Sequence, residues 1–277
     1  MRSSILIVFA IALFSCESRT AITNAKSEKP ATNTPVTNTP VKLLSAQETL
    51  NQTEVPVLCY HRIREFRATD SKSMKDYIVT PENFKSQLKM LADSGYHSIL
   101  PDQLYDYLAY GKALPSKPVL LSFDDSEEEH FTIALNEMKK YGFKGVFFIM
   151  TVTMNRPGYM TKEQLKELSE EGNEIASHTW NHNNVKKYVE TDWAVQVDKP
   201  NKQLEAITGK PVKYFAFPFG LWNEQAIPEL KKRGIKASFQ LVGKRDSTEP
   251  LYTIRRMIVP GEWNNERMMK WMKTNFK

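Results

Sequence analysis

The sequence predicts an α/β fold, a distorted (β/α)7-type barrel, from three observations. Apolar segments with strand character alternate with amphipathic segments of helical spacing from about residue 54 onward, a pattern typical of βαβ units and a parallel sheet. Glycines end or directly follow predicted helices, as at Gly95, Gly142 and Gly172, where a left-handed residue ends a helix at little steric cost. Seven or eight such units in about 225 residues suit closure into a barrel.

The N-terminal residues 1–15 are expected to be a lipoprotein signal peptide. Their apolar run, residues 5–14, suits a signal-peptide core and is too short to span a bilayer as a helix. It ends in Leu13-Phe14-Ser15-Cys16, which resembles a bacterial lipobox and implies lipidation of Cys16. An ordinary secretory signal with an incidental cysteine is the alternative. Either way we expect export. With lipidation, Cys16 would anchor the chain to the bacterial cell envelope, at the outer membrane or the extracellular face.

A flexible linker is expected over residues 16–50, because this stretch is rich in Thr, Asn, Ser and Pro and has little to bury. Such a disordered tether would let one domain, residues 51–277, reach a polymer lying away from the membrane. No later segment is expected to cross a membrane.

Charge and cysteine content argue against a nucleic-acid-binding protein and against a fold held by disulfide bonds. The net charge is +6 without a dense Lys/Arg cluster that interleaves with aromatic residues, so nucleic acid is not an expected partner. No obligate protein partner is evident either. Cys16 and Cys59 are the two cysteines of the sequence, so lipidation of Cys16 leaves Cys59 without a disulfide partner. Cys59 lies in an apolar strand segment, where a cysteine usually behaves as a small hydrophobic residue.

The predicted elements follow one another in the order of a barrel. Strands are predicted at residues 55–60, 118–123, 145–150, 174–177, 214–217, 235–240 and 257–259. Helices are predicted at residues 81–95, 101–110, 127–141, 161–171, 192–208, 224–233 and 262–275. Phe84, Leu88 and Leu91 recur at helical spacing in the first helix. In parallel barrels the reactive groups come from the carboxyl ends of strands, so the residues of one site should directly follow strand segments.

Three stretches pass this test. Asp124 and Asp125 end a strand and face a helix N-terminus; the helix dipole explains one carboxylate, but two exceed what a cap needs. His178 and His182 follow the strand at 174–177, and two histidines four apart can converge on one cation if the segment turns helically. The third stretch is the turn at residues 215–220, which alone is a weak signal.

Together these stretches resemble the polysaccharide deacetylase family, also called NodB-homology or carbohydrate esterase family 4 proteins, over roughly residues 54–260. Ser122-Phe123-Asp124-Asp125-Ser126 is similar to the family's T-F-D-D-G, and His178-Thr179-Trp180-Asn181-His182 to H-[ST]-x-x-H. The resemblance implies a distorted barrel of about seven strands, as the element pattern independently predicts. It also implies that Asp124 is the general base and that Asp125, His178 and His182 bind a divalent metal. This ligand set leaves open coordination positions and suits Zn²⁺, or Co²⁺ or Ni²⁺.

The general acid is assigned through a narrower resemblance. Many family members carry a late Leu-x-His motif, but the last histidine here is His182. The segment at residues 57–63 contains Tyr60-His61 and resembles the poly-N-acetylglucosamine deacetylase branch, which implies that His61 is the acid. A hydrogen-bonded structural histidine is the alternative.

Further departures from the family pattern concern the surroundings of the base. Ala216 stands where many members have an arginine that orients the base. Arg255 or Arg256 could replace it, although solvent-facing charges are equally consistent with the sequence. Ser126 stands where the family has glycine and would be strained at a positive φ. His130, on the following helix, is interpreted as a helix-surface residue.

The resemblance implies a metal-dependent hydrolase that removes N-acetyl groups from a polysaccharide containing N-acetylglucosamine, by attack of an activated water. Substrate contacts are expected from Trp180, Phe217, Pro218, Phe219 and Gly220, with core packing as the alternative for the aromatic residues. The backbone N–H of Phe219 could help to bind the oxyanion. Two alternatives remain: a non-catalytic polysaccharide-binding lipoprotein with the same fold, and an O-deacetylase of xylan-type polymers.

Overall fold

A computed structural model describes residues 42–276 of the chain. The expected signal peptide, the lipidation site Cys16 and most of the expected linker lie outside the described residues. Among the described residues, none of the helices has both the length and the apolar character that a membrane crossing requires.

The strands and helices alternate as the sequence predicts. Within residues 42–276 the strands are β1 (Val57–Tyr60), β2 (Arg62–Ile63), β3 (Ile78–Val79), β4 (His97–Ser98), β5 (Pro118–Phe123), β6 (Gly145–Ile149), β7 (Glu174–Ser177), β8 (Tyr214–Ala216), β9 (Ala237–Phe239) and β10 (Met257–Ile258). The α-helices are α1 (Ala46–Leu50), α2 (Lys72–Lys75), α3 (Pro81–Asp93), α4 (Pro101–Tyr110), α5 (Asn136–Lys139), α6 (Lys162–Glu170), α7 (Glu190–Trp193), α8 (Lys199–Thr208), α9 (Ala226–Lys232) and α10 (Asn265–Asn275).

One parallel sheet forms the body of the fold. Its strand order is β10-β1-β5-β6-β7-β8-β9, with β4 pairing to β5, while β2 and β3 form a separate two-stranded sheet. Every pairing in the main sheet is parallel, as between Leu58 and Leu121. The half-barrel sheet with its surrounding helices confirms the predicted distorted (β/α)7-type barrel.

Both faces of this sheet are buried, which explains why its strands read as apolar runs rather than as alternating patterns. Leu121 and Phe147 belong to the core between the sheet and helices α3, α6 and α8. Their neighbours Leu120 and Val146 point the other way, into a second core that includes Leu104 and Leu108 of α4 and Ile254. Successive residues of each strand therefore serve two cores.

A short segment links the two ends of the sheet. Ile254 forms a parallel bridge with Phe239 of β9, and its carbonyl accepts a hydrogen bond of 2.9 Å from the Gln240 N–H. Three residues later, β10 begins and pairs with β1. Residue 256 thus lies where the chain crosses from one end of the sheet to the other.

The folded domain begins earlier than residue 51, where the sequence analysis places its start. Ser45 and Glu48 cap α1 reciprocally, with the Glu48 carboxylate accepting from the Ser45 N–H at 2.7 Å. Thr49 is buried, and its hydroxyl donates to the Leu108 carbonyl at 2.9 Å. A single capped turn of five residues has too little hydrophobic periodicity to be recognised as a helix.

Two predicted helices contain wider turns. The helix predicted at 127–141 is a π-helical stretch, His130–Leu135, followed by α5. The helix predicted at 192–208 begins with α7 and passes through a second π-helical stretch, Ala194–Asp198, into α8. Such stretches change which side of the helix a residue occupies, and this affects His130 below.

Candidate active site

The carboxyl ends of the sheet strands surround a cavity of about 410 Å³. The residues that line it are His61, Arg62, Tyr77, Asp124, Asp125, His178, His182, Phe217, Phe219, Gly220, Leu241 and Arg256. The fold thus brings the candidate base, acid and metal ligands to one cavity, although they are far apart in the sequence. This is where the sequence analysis expected residues that follow strands to lie.

Asp125, His178 and His182 form a candidate metal-ligand group. Asp125 Oδ1 lies 3.5 Å from His178 Nε2 and 3.7 Å from His182 Nε2, and one ligand atom from each residue lies within 4.8 Å of the others. Asp125 Oδ1 is buried without a hydrogen-bond partner among the described residues. A buried carboxylate oxygen facing two imidazole nitrogens fits a divalent cation with further positions left open.

The orientation of the His178 ring is fixed by the neighbouring strand. His178 Nδ1 lies 2.8 Å from the carbonyl oxygen of Ala216, at the end of β8. Because a carbonyl only accepts, Nδ1 carries the proton and Nε2 presents its lone pair to the candidate metal position. Burial lowers the pKa of both His178 and His182, which favours the neutral imidazoles that metals bind.

The histidine pair converges through a tight turn rather than the helical turn that the sequence analysis required. Thr179 and His182 have positive φ angles of 69° and 63°. The His182 N–H donates to Thr179 Oγ1 at 2.9 Å, which holds the turn closed. Residue spacing alone could not distinguish this turn from a helical one.

Arg256 restrains the carboxylate of Asp124. Its Nη1 and Nη2 donate to the two carboxylate oxygens at 2.6 and 2.8 Å, and its Nε donates to the Gln240 carbonyl. Burial would raise the pKa of Asp124, but the charge and the hydrogen bonds of Arg256, together with His178 and His61, hold the pKa below its usual range. Of the two arginines that the sequence offered, Arg255 instead pairs with Glu54 at 3.1 Å.

His61 lies across the cavity from the candidate ligands. Its Nε2 is 3.9 Å from Asp124 Oδ2, and its ring meets Tyr77 edge-on at a centroid distance of 4.9 Å. Burial lowers the pKa of His61 to about 4, although the Asp124 charge opposes the shift. The imidazole is therefore neutral at neutral pH.

His130 is buried, so its interpretation as a helix-surface residue is wrong. The π-helical stretch turns its ring toward the sheet, 5.4 Å from Phe123 and 6.2 Å from Phe147 between ring centroids. Its Nε2–H donates to the backbone carbonyl of His61. His130 thus connects the helix after Asp125 to the strand end that carries His61.

The third strand end contributes part of the expected substrate surface. Phe217, Phe219 and Gly220 line the cavity, whereas Pro218 is buried and Trp180 is half-buried outside the lining. Phe219 has a φ of 60°, and its ring lies edge-on to His182 with a centroid distance of 4.3 Å.

Ser126 takes the left-handed conformation that makes glycine usual at this position. Its φ is 66°, which costs a non-glycine residue of the order of 1–3 kcal/mol. Its Oγ accepts a hydrogen bond of 2.8 Å from the Met150 N–H. This hydrogen bond offsets part of the strain and ties the Asp124-Asp125 turn to the end of β6.

Three residues that line the cavity were not predicted as site residues from the sequence: Arg62, Tyr77 and Leu241. Arg62 and Tyr77 lie in the excursion that contains β2 and β3, and Arg62 donates to Glu129 at 2.9 Å. Arg62 lies in the segment 57–63 that resembles the poly-N-acetylglucosamine branch, but that resemblance gave it no role. No motif marks Tyr77, because its place at the rim depends on how the excursion folds back over the barrel.

The Arg256–Asp124 pair leads to a stability prediction. Arg256→Met leaves a buried, unpaired carboxylate, so we expect the free energy of unfolding to fall by about 3–5 kcal/mol. Adding Asp124→Asn should recover part of the loss, because it removes the charge. Arg255→Met, which removes a less buried ion pair, should cost about 1 kcal/mol or less. Urea denaturation measures all four proteins; equal losses for the two arginine variants would contradict the assignment.

Comparison with known proteins finds similar sequences. Residues 111–238 match the family model described as polysaccharide deacetylase. A putative polysaccharide deacetylase, YxkH of Bacillus subtilis, is 25% identical over 216 residues, covering 77% of this chain and 75% of that protein. A poly-beta-1,6-N-acetyl-D-glucosamine N-deacetylase of Staphylococcus aureus is 27% identical over 237 residues, covering 77% of this chain and 81% of that protein.

Solved structures show the same fold. The Streptococcus pyogenes deacetylase PplD, in complex with acetate, has a TM-score of 0.73 at 22% identity, covering 79% of this chain and 98% of that one. IcaB from Ammonifex degensii has a TM-score of 0.67 at 25% identity, covering 80% of this chain and 98% of that one.

Proposed function

Since this chain belongs to the polysaccharide deacetylase family, we propose that it removes N-acetyl groups from a polysaccharide containing N-acetylglucosamine, an exopolysaccharide or a cell-wall glycan. The observation that carries the proposal is the single cavity in which a three-residue ligand group, a restrained carboxylate and a histidine face one another. The name of the Staphylococcus aureus relative supports the choice of polymer.

Metal dependence is part of the proposal. The cation would be held by Asp125, His178 and His182, and the mixed oxygen and nitrogen ligands suit Zn²⁺, with Co²⁺ or Ni²⁺ as alternatives. Such a cation, when bound, polarises the acetamide carbonyl and lowers the pKa of a bound water.

Asp124 acts as the base in this proposal. Arg256 keeps its carboxylate ionised and fixes its plane toward the cavity, so that it can take one proton from the attacking water. The same low pKa makes Asp124 a poor place to hold that proton, which favours its transfer onward to the leaving nitrogen.

His61 completes the proton path. A neutral imidazole must gain a proton before it can give one, and His61 Nε2 lies 3.9 Å from Asp124 Oδ2. The proton lost by water passes through Asp124 and His61 to the amide nitrogen as the C–N bond breaks. The products are acetate and a free amine on the sugar, and protonation avoids the expulsion of an amide anion.

The metal and the base can be separated by substitution. Asp124→Asn should retain bound metal but lower acetate release by about 10²–10⁴-fold, because it removes the base, whereas Asp125→Ala should lose both metal and activity. Metal content by mass spectrometry, together with acetate release from poly-β-1,6-N-acetylglucosamine, tests this expectation. Treatment with a chelator should abolish release, and added Zn²⁺ should restore it.

The same assays test the alternative functions. A wild-type protein that binds metal but releases no acetate from acetylated glycans would favour the non-catalytic polysaccharide-binding lipoprotein. Release from acetylated xylan alone would favour the O-deacetylase.

The role of His61 is tested by changing the leaving group. His61→Asn should lower acetate release from an amide substrate by about 10²–10⁴-fold, the usual contribution of a positioned acid. The loss should be much smaller with 4-nitrophenyl acetate, whose leaving group departs without protonation. Equal losses on the amide and the ester would instead indicate a structural role for His61.

We also propose that the chain is exported and anchored to the bacterial cell envelope through lipid on Cys16. The support is the apolar run followed by Leu13-Phe14-Ser15-Cys16. Cys16→Ala should move the protein from the detergent phase to the aqueous phase in Triton X-114 partitioning, because the lipid supplies the membrane affinity. Unchanged partitioning would contradict the anchor.

A further inference from the structure

A second group of potential metal ligands borders the same cavity. It consists of Cys59, His61 and Asp124, and one ligand atom from each residue lies within 4.8 Å of the other two. Cys59 Sγ is 3.5 Å from Asp124 Oδ2 and 4.0 Å from His61 Nδ1. These separations are close to the 3.5 and 3.7 Å found within the candidate metal-ligand group. We call the three residues the thiol-containing group.

Strand β1 places the thiol on the same side of the sheet as the histidine. Successive side chains of a strand point to opposite faces, and Leu58 and Tyr60 belong to the core on the other face. Cys59 is fully buried, whereas His61 and Asp124 line the cavity. The thiol therefore lies behind the two side chains that the proposed reaction uses for proton transfer.

One cation can bridge these atoms with little movement of the side chains. A zinc ion lies about 2.3 Å from a thiolate sulfur and about 2.0–2.2 Å from an imidazole nitrogen or a carboxylate oxygen. Two such bonds together span up to about 4.3 Å. That reach exceeds both the 3.5 Å from Cys59 Sγ to Asp124 Oδ2 and the 4.0 Å from Cys59 Sγ to His61 Nδ1.

The charge of Arg256 restricts which cations this group accepts. Arg256 donates to both oxygens of Asp124, which leaves carboxylate lone pairs for a cation but repels its charge. Mg²⁺ prefers oxygen ligands and loses its water reluctantly, so one shared carboxylate offers it too little. A thiophilic ion such as Zn²⁺ or Cd²⁺ also gains a bond to sulfur.

The bond to sulfur has a cost of its own. Metals bind the thiolate, so the thiol proton passes to solvent as the sulfur–metal bond forms. Burial raises the pKa of the Cys59 thiol, and this makes the proton harder to displace. The thiol-containing group should therefore bind a cation more weakly than the candidate metal-ligand group and fill after it.

We propose that Cys59, His61 and Asp124 form an inhibitory site for a second, thiophilic metal ion, an inference about regulation that rests on the proposed function. The second ion occupies lone pairs of Asp124 and His61. Asp124 then cannot take the proton from water, and His61 cannot carry it to the leaving nitrogen. Acetate release therefore rises as the candidate metal-ligand group fills with Zn²⁺ and falls when excess Zn²⁺ fills the thiol-containing group.

Cadmium binding to the full chain tests the site without a measurement of activity. Cys16 and Cys59 are the two cysteines of the sequence, so an ultraviolet cadmium–thiolate absorption band in Cys16→Ala can come only from Cys59. We expect Cys16→Ala to show this band. The matched double variant, Cys16→Ala with Cys59→Ala, should lack the band and bind one Cd²⁺ fewer by mass spectrometry. Absence of the band from Cys16→Ala would overturn the inference.

A Zn²⁺ titration of acetate release tests the inhibition. With each protein normalised to its own maximum, half-inhibition of Cys59→Ala should need at least about tenfold more Zn²⁺ than the wild type, because even supporting partners of a metal site contribute 10–100-fold in affinity. Cys16→Ala should match the wild type, and Mg²⁺ should inhibit neither protein.

The two measurements separate failure of the inference from failure of the proposed function. Half-inhibition of Cys59→Ala at the wild-type Zn²⁺ concentration would overturn the inhibitory site while acetate release continues. Absence of acetate release from the wild type at every Zn²⁺ concentration would overturn the proposed function. The cadmium band of Cys16→Ala then still decides whether Cys59 binds a metal ion.

Discussion

The buried ion pair between Arg256 and Asp124 joins the closure of the barrel to the centre of the candidate site. Arg256 lies between the bridge of Ile254 to β9 and the pairing of β10 with β1, so its position depends on both ends of the sheet. Its side chain is 1% exposed and that of Asp124 is 2% exposed, and two charges so deeply buried are tolerated only when they are well paired. If either side chain were removed, the other would be a buried charge without a partner. If the two ends of the sheet did not come together, Arg256 would not be held in position to reach Asp124.

Backbone strain is concentrated at the same rim. Asp125 and Ser126 after β5, Thr179 and His182 after β7, and Phe219 after β8 all have positive φ angles without being glycine. Each such residue costs of the order of 1–3 kcal/mol, which the surrounding structure must offset. Here the two cores on either side of the sheet hold the strand ends, and local hydrogen bonds such as that from Met150 to Ser126 hold the turns. The strands place the candidate ligand residues at the rim, and the strained turns orient their side chains toward the cavity.

The parts of the molecule that could be predicted from sequence depend on local patterns. The parallel barrel followed from alternating elements, and the sites at Asp124 and His178 followed from their positions after strands. The sequence could not show which of Arg255 and Arg256 restrains Asp124, because the two are adjacent. Only the path of residues 254–258 decides which side chain points inward. Tyr77 reaches the cavity by a fold-back of the chain, and His130 is turned inward by a π-helical stretch. These are long-range or irregular features that hydrophobic periodicity does not record.

Two departures from the family pattern favoured the non-catalytic alternative in the sequence: the alanine at position 216 and the lack of a late histidine. In the folded structure, other residues occupy the places near Asp124 that the missing arginine and the missing late histidine would take. Arg256 donates to both oxygens of Asp124 from the segment just before β10, and His61 faces the same carboxylate from the end of β1. Ala216 contributes in a different way: its backbone carbonyl accepts a hydrogen bond from His178 Nδ1–H, which requires no particular side chain at this position. The restraint on Asp124 and the proposed role of His61 depend on the atoms that these side chains reach. An unusual position in the sequence is therefore weak ground for inferring that turnover has been lost.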